Sequence, residues 1–410
     1  MQKNRRDFMK IVGLGGVAIG VAGCTPPTAD SGGSAATADA SPGSLQLPSS
    51  PVSLNLVDVS GDVVIAQPMI EAYKAKYPQY LSNVIFDTGD ATEIAGKLKA
   101  QQDAGTSQID LVLTGNDALG AGIEQGLWLR LTPDYDDWIG ASLATYQENA
   151  KLMQAITDGY AVVNDYGNYG PLLQFLPDKV PNPPSSAEDL MDWAKANPGM
   201  FLYARPSNSG PGRAFTQGLP YILGDSDPSD PVNGWDKTWA YLAELGKYID
   251  YYTAGTGASM RELASGSRLI VASSAGWDIN PRAIGTVPAE AQIVALDNTT
   301  WIMDSNFVAI PKGVSIDKLA VMLDLIKWML TPEQQAKAYD DGYMYPGPAV
   351  EGVTLDMAPQ ESQDVINQFG RPEYAELLAK YPATPPLSNK ALGQMFDRWD
   401  REIGANRVQQ

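Results

Sequence analysis

Carboxylates and aromatic rings occur together in several stretches that lack helical spacing: Trp277 with Asp278, Trp301 with Asp304, and Tyr345. A cationic amine needs both kinds of group, the carboxylate for charge and the ring face for a cation–π contact worth roughly 0.5–2 kcal/mol. Each also has a plain packing role, because tryptophans fill cores and aspartates cap helices. A second pattern points to the opposite charge. Between Arg205 and Arg213 stand Ser207, Ser209, Gly210 and Gly212. Small residues at a helix start present backbone N–H groups and a positive dipole end to a phosphate, phosphonate, sulfonate or carboxylate. An N-capped loop with solvated arginines would read the same way. A zwitterionic ligand would reconcile the two patterns.

Other chemistry is excluded by composition. The 410 residues contain no histidine, which removes the Ser-His-Asp and Cys-His triads, His-based zinc sites and the usual general base. The single cysteine, Cys24, allows no disulfide or thiolate cluster within one chain. The acidic stretch from Asp225 to Asp230 lacks the residue order of an EF-hand loop and reads as a solvated turn, so no metal or cofactor is expected. The formal net charge is −19, and Lys3, Arg5, Arg6 and Lys10 at the extreme N-terminus leave the body more acidic still. Such a surface repels phosphate backbones and makes nucleic acid an implausible partner.

Arg5-Arg6 precedes an uncharged run from Ile11 to Ala22, too short to span a bilayer and of the length of a signal peptide core. Residues 1–23 therefore read as a twin-arginine export signal. Val21-Ala22-Gly23 places small residues directly before Cys24, which resembles a lipoprotein cleavage site, with Cys24 as the lipidated residue. Residues 24–50 are rich in Ala, Ser, Thr, Gly and Pro, a composition that cannot offset its ordering entropy and reads as a tether. Gly13-Leu14-Gly15-Gly16-Val17-Ala18 fits a dinucleotide-binding string, but no strand precedes it.

The body alternates strands and helices. Val52, Leu54 and Leu56 alternate as a strand; Ile65, Met69, Tyr73 and Tyr77 recur at helical spacing; Asn83 to Phe86 and Ile109 to Leu113 read as further strands. Asp90 with Glu93 reads as a capping box between them. This β-α-β-α-β order predicts an α/β fold with a mostly parallel sheet, whose ligands lie beyond the carboxyl ends of the strands. Ser60, Asp62, Asp90, Thr114 and Asn116 stand at those ends. From Asp158 to Tyr169 the chain loses periodicity, as where it crosses to a second lobe, and Tyr169 is a candidate there. A helix from Ser186 to Ala196, a strand from Arg268 to Ala272, a strand from Phe307 to Ile310 and a helix from Ile316 to Leu330 follow.

Several segments carry a family resemblance: Ala72-Tyr73-Lys74-Ala75-Lys76-Tyr77-Pro78, Gly96-Lys97-Leu98-Lys99-Ala100, Ile109-Asp110-Leu111-Val112-Leu113-Thr114, Gln125-Gly126-Leu127-Trp128, and Leu325 through Gln335. Together they resemble the solute-binding lipoproteins of bacterial ABC importers, of the type II two-lobe periplasmic-binding-protein fold. Within that family, Trp301-Ile302-Met303-Asp304-Ser305 is similar to polyamine binders, in which the matching Trp and Asp hold an aliphatic amine. Trp193 through Phe201, followed by Tyr203-Ala204-Arg205-Pro206, looks like thiamine-type binders. The resemblance implies a first lobe over residues 51–162, a second over 163–297, a return over 298–340, and a C-terminal helical segment over 341–410. It implies a non-catalytic receptor, acting as a monomer that Cys24 anchors by lipid on the outer side of the cytoplasmic membrane or in the periplasm, and that delivers its solute to a permease. The expected contacts are Ser60, Asp62, Asp90, Thr114, Asn116, Tyr169, Arg205, Ser209, Trp277, Asp278, Trp301, Asp304 and Tyr345. The expected solute is an amine, with an anionic solute as the alternative. A secreted carboxylate-dependent glycoside hydrolase is the alternative from another class, since paired acids need no histidine.

Overall fold

Strand β1 (Val52–Asp58) buries Leu54 and Leu56 and leaves Ser53 exposed, the alternation that one covered sheet face demands. The computed structural model describes residues 45–405 and 407–409; the export signal, Cys24 and most of the tether lie outside them. Helix α1 (Val63–Lys76) follows and packs Ile65, Met69, Ile70 and Tyr73 on the sheet. Then come β2 (Leu81–Thr88), α2 (Ile94–Asp103), β3 (Leu111–Thr114) and α3 (Asn116–Glu124). The expected capping box does not form. The Asp90 carboxylate instead accepts the N–H and hydroxyl of Thr92 at 2.8 and 2.7 Å, because a residue two positions away is nearer than a helix start four away.

Helices α4 (Asp136–Leu143) and α5 (Glu148–Ala155) lead to β4 (Ala161–Gly170), a ten-residue strand in the stretch read as aperiodic. The chain therefore stays in the first sheet through Gly170. It then builds the second lobe from β5 (Leu172–Phe175), α6 (Ala187–Ala196), β6 (Phe201–Leu202), α7 (Gly210–Leu223), α8 (Asp236–Leu245), β7 (Tyr252–Thr253), α9 (Thr256–Ser265), β8 (Ile270–Ser273), α10 (Ala275–Ala283) and β9 (Gln292–Val294). Helix α6 starts with a capping box: the Ser186 hydroxyl accepts the Asp189 N–H, and the Asp189 carboxylate accepts that of Ser186.

Strand β10 (Trp301–Ala309) returns to the first lobe, and starts six residues earlier than its apolar end suggests. Helices α11 (Ile316–Met329) and α12 (Pro332–Gln335), then β11 (Pro346–Pro348), complete that lobe. The last segment carries α13 (Gln360–Phe369), α14 (Tyr374–Lys380), β12 (Ala383–Thr384), α15 (Asn389–Trp399) and β13 (Val408–Gln409).

The first sheet runs β11-β4-β10-β3-β1-β2, with β12 also on β10. It is parallel where β1 joins β2 and β3, and antiparallel where β10 enters between β3 and β4. The second sheet runs β6-β8-β5-β9. Each has its own apolar core. Leu392, Met395, Trp399 and Ile403 of the C-terminal segment fill the second, whereas β12 pairs with β10 of the first sheet, so this segment ties the lobes together. No helix among the described residues is long and apolar enough to cross a membrane.

Candidate functional site

The carboxyl ends of β1 and β3 meet the middle of β4 and β10, and polar residues collect there. Asp58 ends β1 and caps the next helix: its Oδ1 accepts the N–H groups of Ser60 at 2.9 Å and Gly61 at 3.0 Å, and its Oδ2 that of Val63 at 3.1 Å. The turn needs φ +85° at Gly61, where a side chain would be strained. With Asp58 serving the helix start, Asp62 is left to face inward. Both of its oxygens accept from Asn164 Nδ2, at 3.0 and 2.9 Å. The same amide reaches Asp165 Oδ2 at 3.2 Å, and Asn306 Nδ2 reaches Asp165 Oδ1 at 3.0 Å.

Asp62 and Asp165 are both 0% exposed and form no ion pair among the described residues. Burial, then the negative charge of Asp165, holds Asp62 well above the ordinary carboxylate range. Burial likewise pushes Asp165 up to about 7, against the hydrogen bonds it receives. The pair thus retains a proton near neutrality. The Tyr343 hydroxyl lies over Gly61, and its pKa is pushed up to about 12, first by burial and then by the charges of Asp304, Asp58 and Asp165. The Trp277 ring meets Tyr343 edge-on at 5.7 Å.

Asp304 sits on β10 at the seam between the lobes. It accepts from Asn116 Nδ2 at 3.5 Å and, across the seam, from the Arg213 guanidinium of α7 at 3.3 Å. Asp304 of the first lobe therefore faces one arginine of the second, with Asp117 as the other negative charge acting on it. No three acidic side chains among the described residues are grouped to hold a metal ion.

The thirteen sequence candidates divide. Ser60, Asp62, Asn116, Trp277 and Asp304 are brought to this cluster or its rim, and Thr114 ends the adjoining strand with its hydroxyl on the Gly115 carbonyl. Ser209 caps α7 through the Gly212 N–H and shares a hydrogen bond with Thr256. Arg205 stands elsewhere, in a two-pronged pair with Asp400 of the C-terminal segment. Asp278 is an internal tie: it accepts from Arg282 at 2.9 Å, from Arg371 and Tyr374 at 2.7 Å, and from Gln174 at 3.1 Å. Trp301 is sealed in the first core against the edge of Tyr381. Tyr345 packs on Tyr374, Tyr169 is buried beside Tyr166, and Asp90 is exposed in its own turn. Cys24 lies outside the described residues. Asn164, Asp165, Asn306, Gln217 and Tyr343 were not singled out from sequence. The signal was there in part, as polar residues inside strands that are otherwise apolar.

Residues 68–367 match the family described as bacterial extracellular solute-binding protein, and the chain belongs to that family. Its described function is solute binding, as the sequence resemblance implied. The fold is shared with solved ABC transport proteins. One from Clostridium perfringens is 16% identical, with 86% of this chain and 99% of that chain covered at a TM-score of 0.63. A periplasmic thiamin binding protein is 16% identical, with 87% and 99% covered at 0.58. A spermidine/putrescine substrate-binding protein from Streptococcus pneumoniae is 14% identical, with 85% and 98% covered at 0.57. No curated protein matches the sequence.

Proposed function

We propose that the chain is the receptor of an ABC importer, which captures a small amine-bearing solute between its lobes and presents the closed form to a permease. The observation that carries the amine is the carboxylate of Asp304 at the seam, which meets Arg213 of the second lobe only at 3.3 Å, with Asp117 of the first lobe as a further negative charge near that arginine. An ammonium at Asp304 gains charge-assisted hydrogen bonds there, and the Trp277 and Tyr343 rings lie close by for cation–π contact. That solved proteins of this fold include a spermidine/putrescine binder and a thiamin binder supports the same class. In this reading Cys24 carries the lipid that keeps the monomeric receptor beside its permease, after export under the twin-arginine signal.

Capture works by differential affinity: the solute stabilises the closed arrangement because only there do both lobes touch it. X-ray scattering of the body, residues 25–410, is expected to show a radius of gyration that falls when a bound amine is added to saturation. Curves that superimpose with and without it would remove the closure mechanism.

A further inference from the structure

The seam holds a donor pair that an amine does not use. Arg213 and Gln217 lie four residues apart on α7, hence on one face of the helix, and line a small cavity of about 10 Å³ with Met303, Asp304 and Pro386. Gln217 is 2% exposed. Its Oε1 accepts the Leu387 N–H at 2.7 Å, which fixes which end of the amide is which. The Nε2 is left buried with no acceptor, an uncompensated desolvation until something accepts from it. Arg213 is under-used as well. It has five N–H donors, and its contact with Asp304, at 3.3 Å, is longer than a charge-assisted bond of about 2.7–2.9 Å. Arg213 lies in the first turn of α7, whose N-terminus adds positive potential, and Gln217 one turn further on.

We infer that the solute is a zwitterion, its carboxylate held by Arg213 and Gln217 and its ammonium by Asp304, so that it replaces the direct Arg213–Asp304 contact. This rests on the reading of Asp304 as the amine site. The pairing decides the class. A pure cation taking Asp304 would deprive Arg213 of its hydrogen-bonded partner and leave it only the more distant Asp117, and a pure anion taking Arg213 would deprive Asp304 of its cation; a charge left without a bonded partner in a closed seam is expensive. A zwitterion satisfies both walls and gives the Gln217 donor its acceptor.

The test compares chains of matched length with different ends: 4-aminobutanoate, butane-1,4-diamine and butanedioate, with their three- and five-carbon homologues and a set of α-amino acids, titrated calorimetrically into the wild-type body, Gln217→Glu and Gln217→Met. At least one zwitterion is expected to bind tighter than its matched diamine and diacid. Gln217→Glu, which keeps the bond to Leu387 but faces the carboxylate with another, should weaken that zwitterion roughly 10- to 100-fold and favour the diamine. Gln217→Met, which removes the donor and the Leu387 acceptor without adding a charge, should weaken it less, and unliganded melting points report whether either variant is folded. Diamines that bind best and ignore both variants would overturn the carboxylate contact and leave the amine reading standing. Binding by diacids alone would overturn both readings, and silence from every zwitterion would overturn this one.

Discussion

Asp304→Asn is expected to weaken capture of the amine-bearing solute by about 100-fold, since removing one member of a desolvated charge pair costs about 2–5 kcal/mol. The substitution keeps the size and one acceptor, so Asn116 and the Ser305 N–H retain a partner. It removes the charge that answers both the ammonium and Arg213. Without ligand the fold should tolerate it, because Asp304 and Arg213 side chains keep 24% and 16% of their surface in solvent and pairs of that kind contribute little. Titration of wild type and variant with the same solute decides the matter. A variant with the wild-type Kd and an unchanged melting point would place the amine elsewhere.

Asp165→Asn is expected to stabilise the protein at pH 8, with a gain that shrinks as pH falls and is nearly gone at about pH 4. Burial is the largest influence on Asp165, and the charge of Asp304 raises it further, against the hydrogen bonds of Asp62, Asn306 and Asn164. Its folded pKa of about 7 lies above the unfolded value, so between about pH 4 and pH 7 the folded state holds a proton that the unfolded state has released. Stability therefore falls as pH rises through that window, and the penalty is complete above it. Asparagine mimics the protonated acid and should remove a penalty on the order of 2 kcal/mol at pH 8, while its amide still serves Asp62 and its oxygen still accepts from Asn306. Melting curves from pH 4 to pH 9 measure this. Parallel profiles for wild type and variant would mean that Asp165 is ionised throughout.

What the sequence disclosed follows the strength of its local signals. Helix α11 was plain because Leu319, Met322, Leu323 and Ile326 keep helical spacing on a buried face. Strand β4 was hidden because Asn164 and Asp165 interrupt its apolar run, and they do so because they form the floor of the site. Asp165, Asn306 and Asp62 share no motif. They meet only because β10 enters the sheet between β3 and β4, a pairing that no local pattern encodes. Trp277 and Asp278 are neighbours in sequence yet part company in space. Successive residues on a helix point about 100° apart, which sends Trp277 to Tyr343 and Asp278 into its buried ties with Arg282 and Arg371. Trp301 with Asp304 is similar to the amine-holding pair of polyamine binders, but here Ala383 pairs beside Trp301 and Tyr381 packs on its ring, which encloses it in the core.

The central claim is that this receptor recognises its solute through an amine. A thermal-shift screen of residues 25–410 against polyamines, thiamine, amino acids, phosphonates, sulfonates, dicarboxylates and sugars tests it most directly. A solute at 1,000 times its Kd adds about 4 kcal/mol and should raise the melting point plainly. The account predicts shifts from amine-bearing solutes alone, lost in Asp304→Asn. Shifts confined to solutes without an amine, and still present in Asp304→Asn, would contradict it.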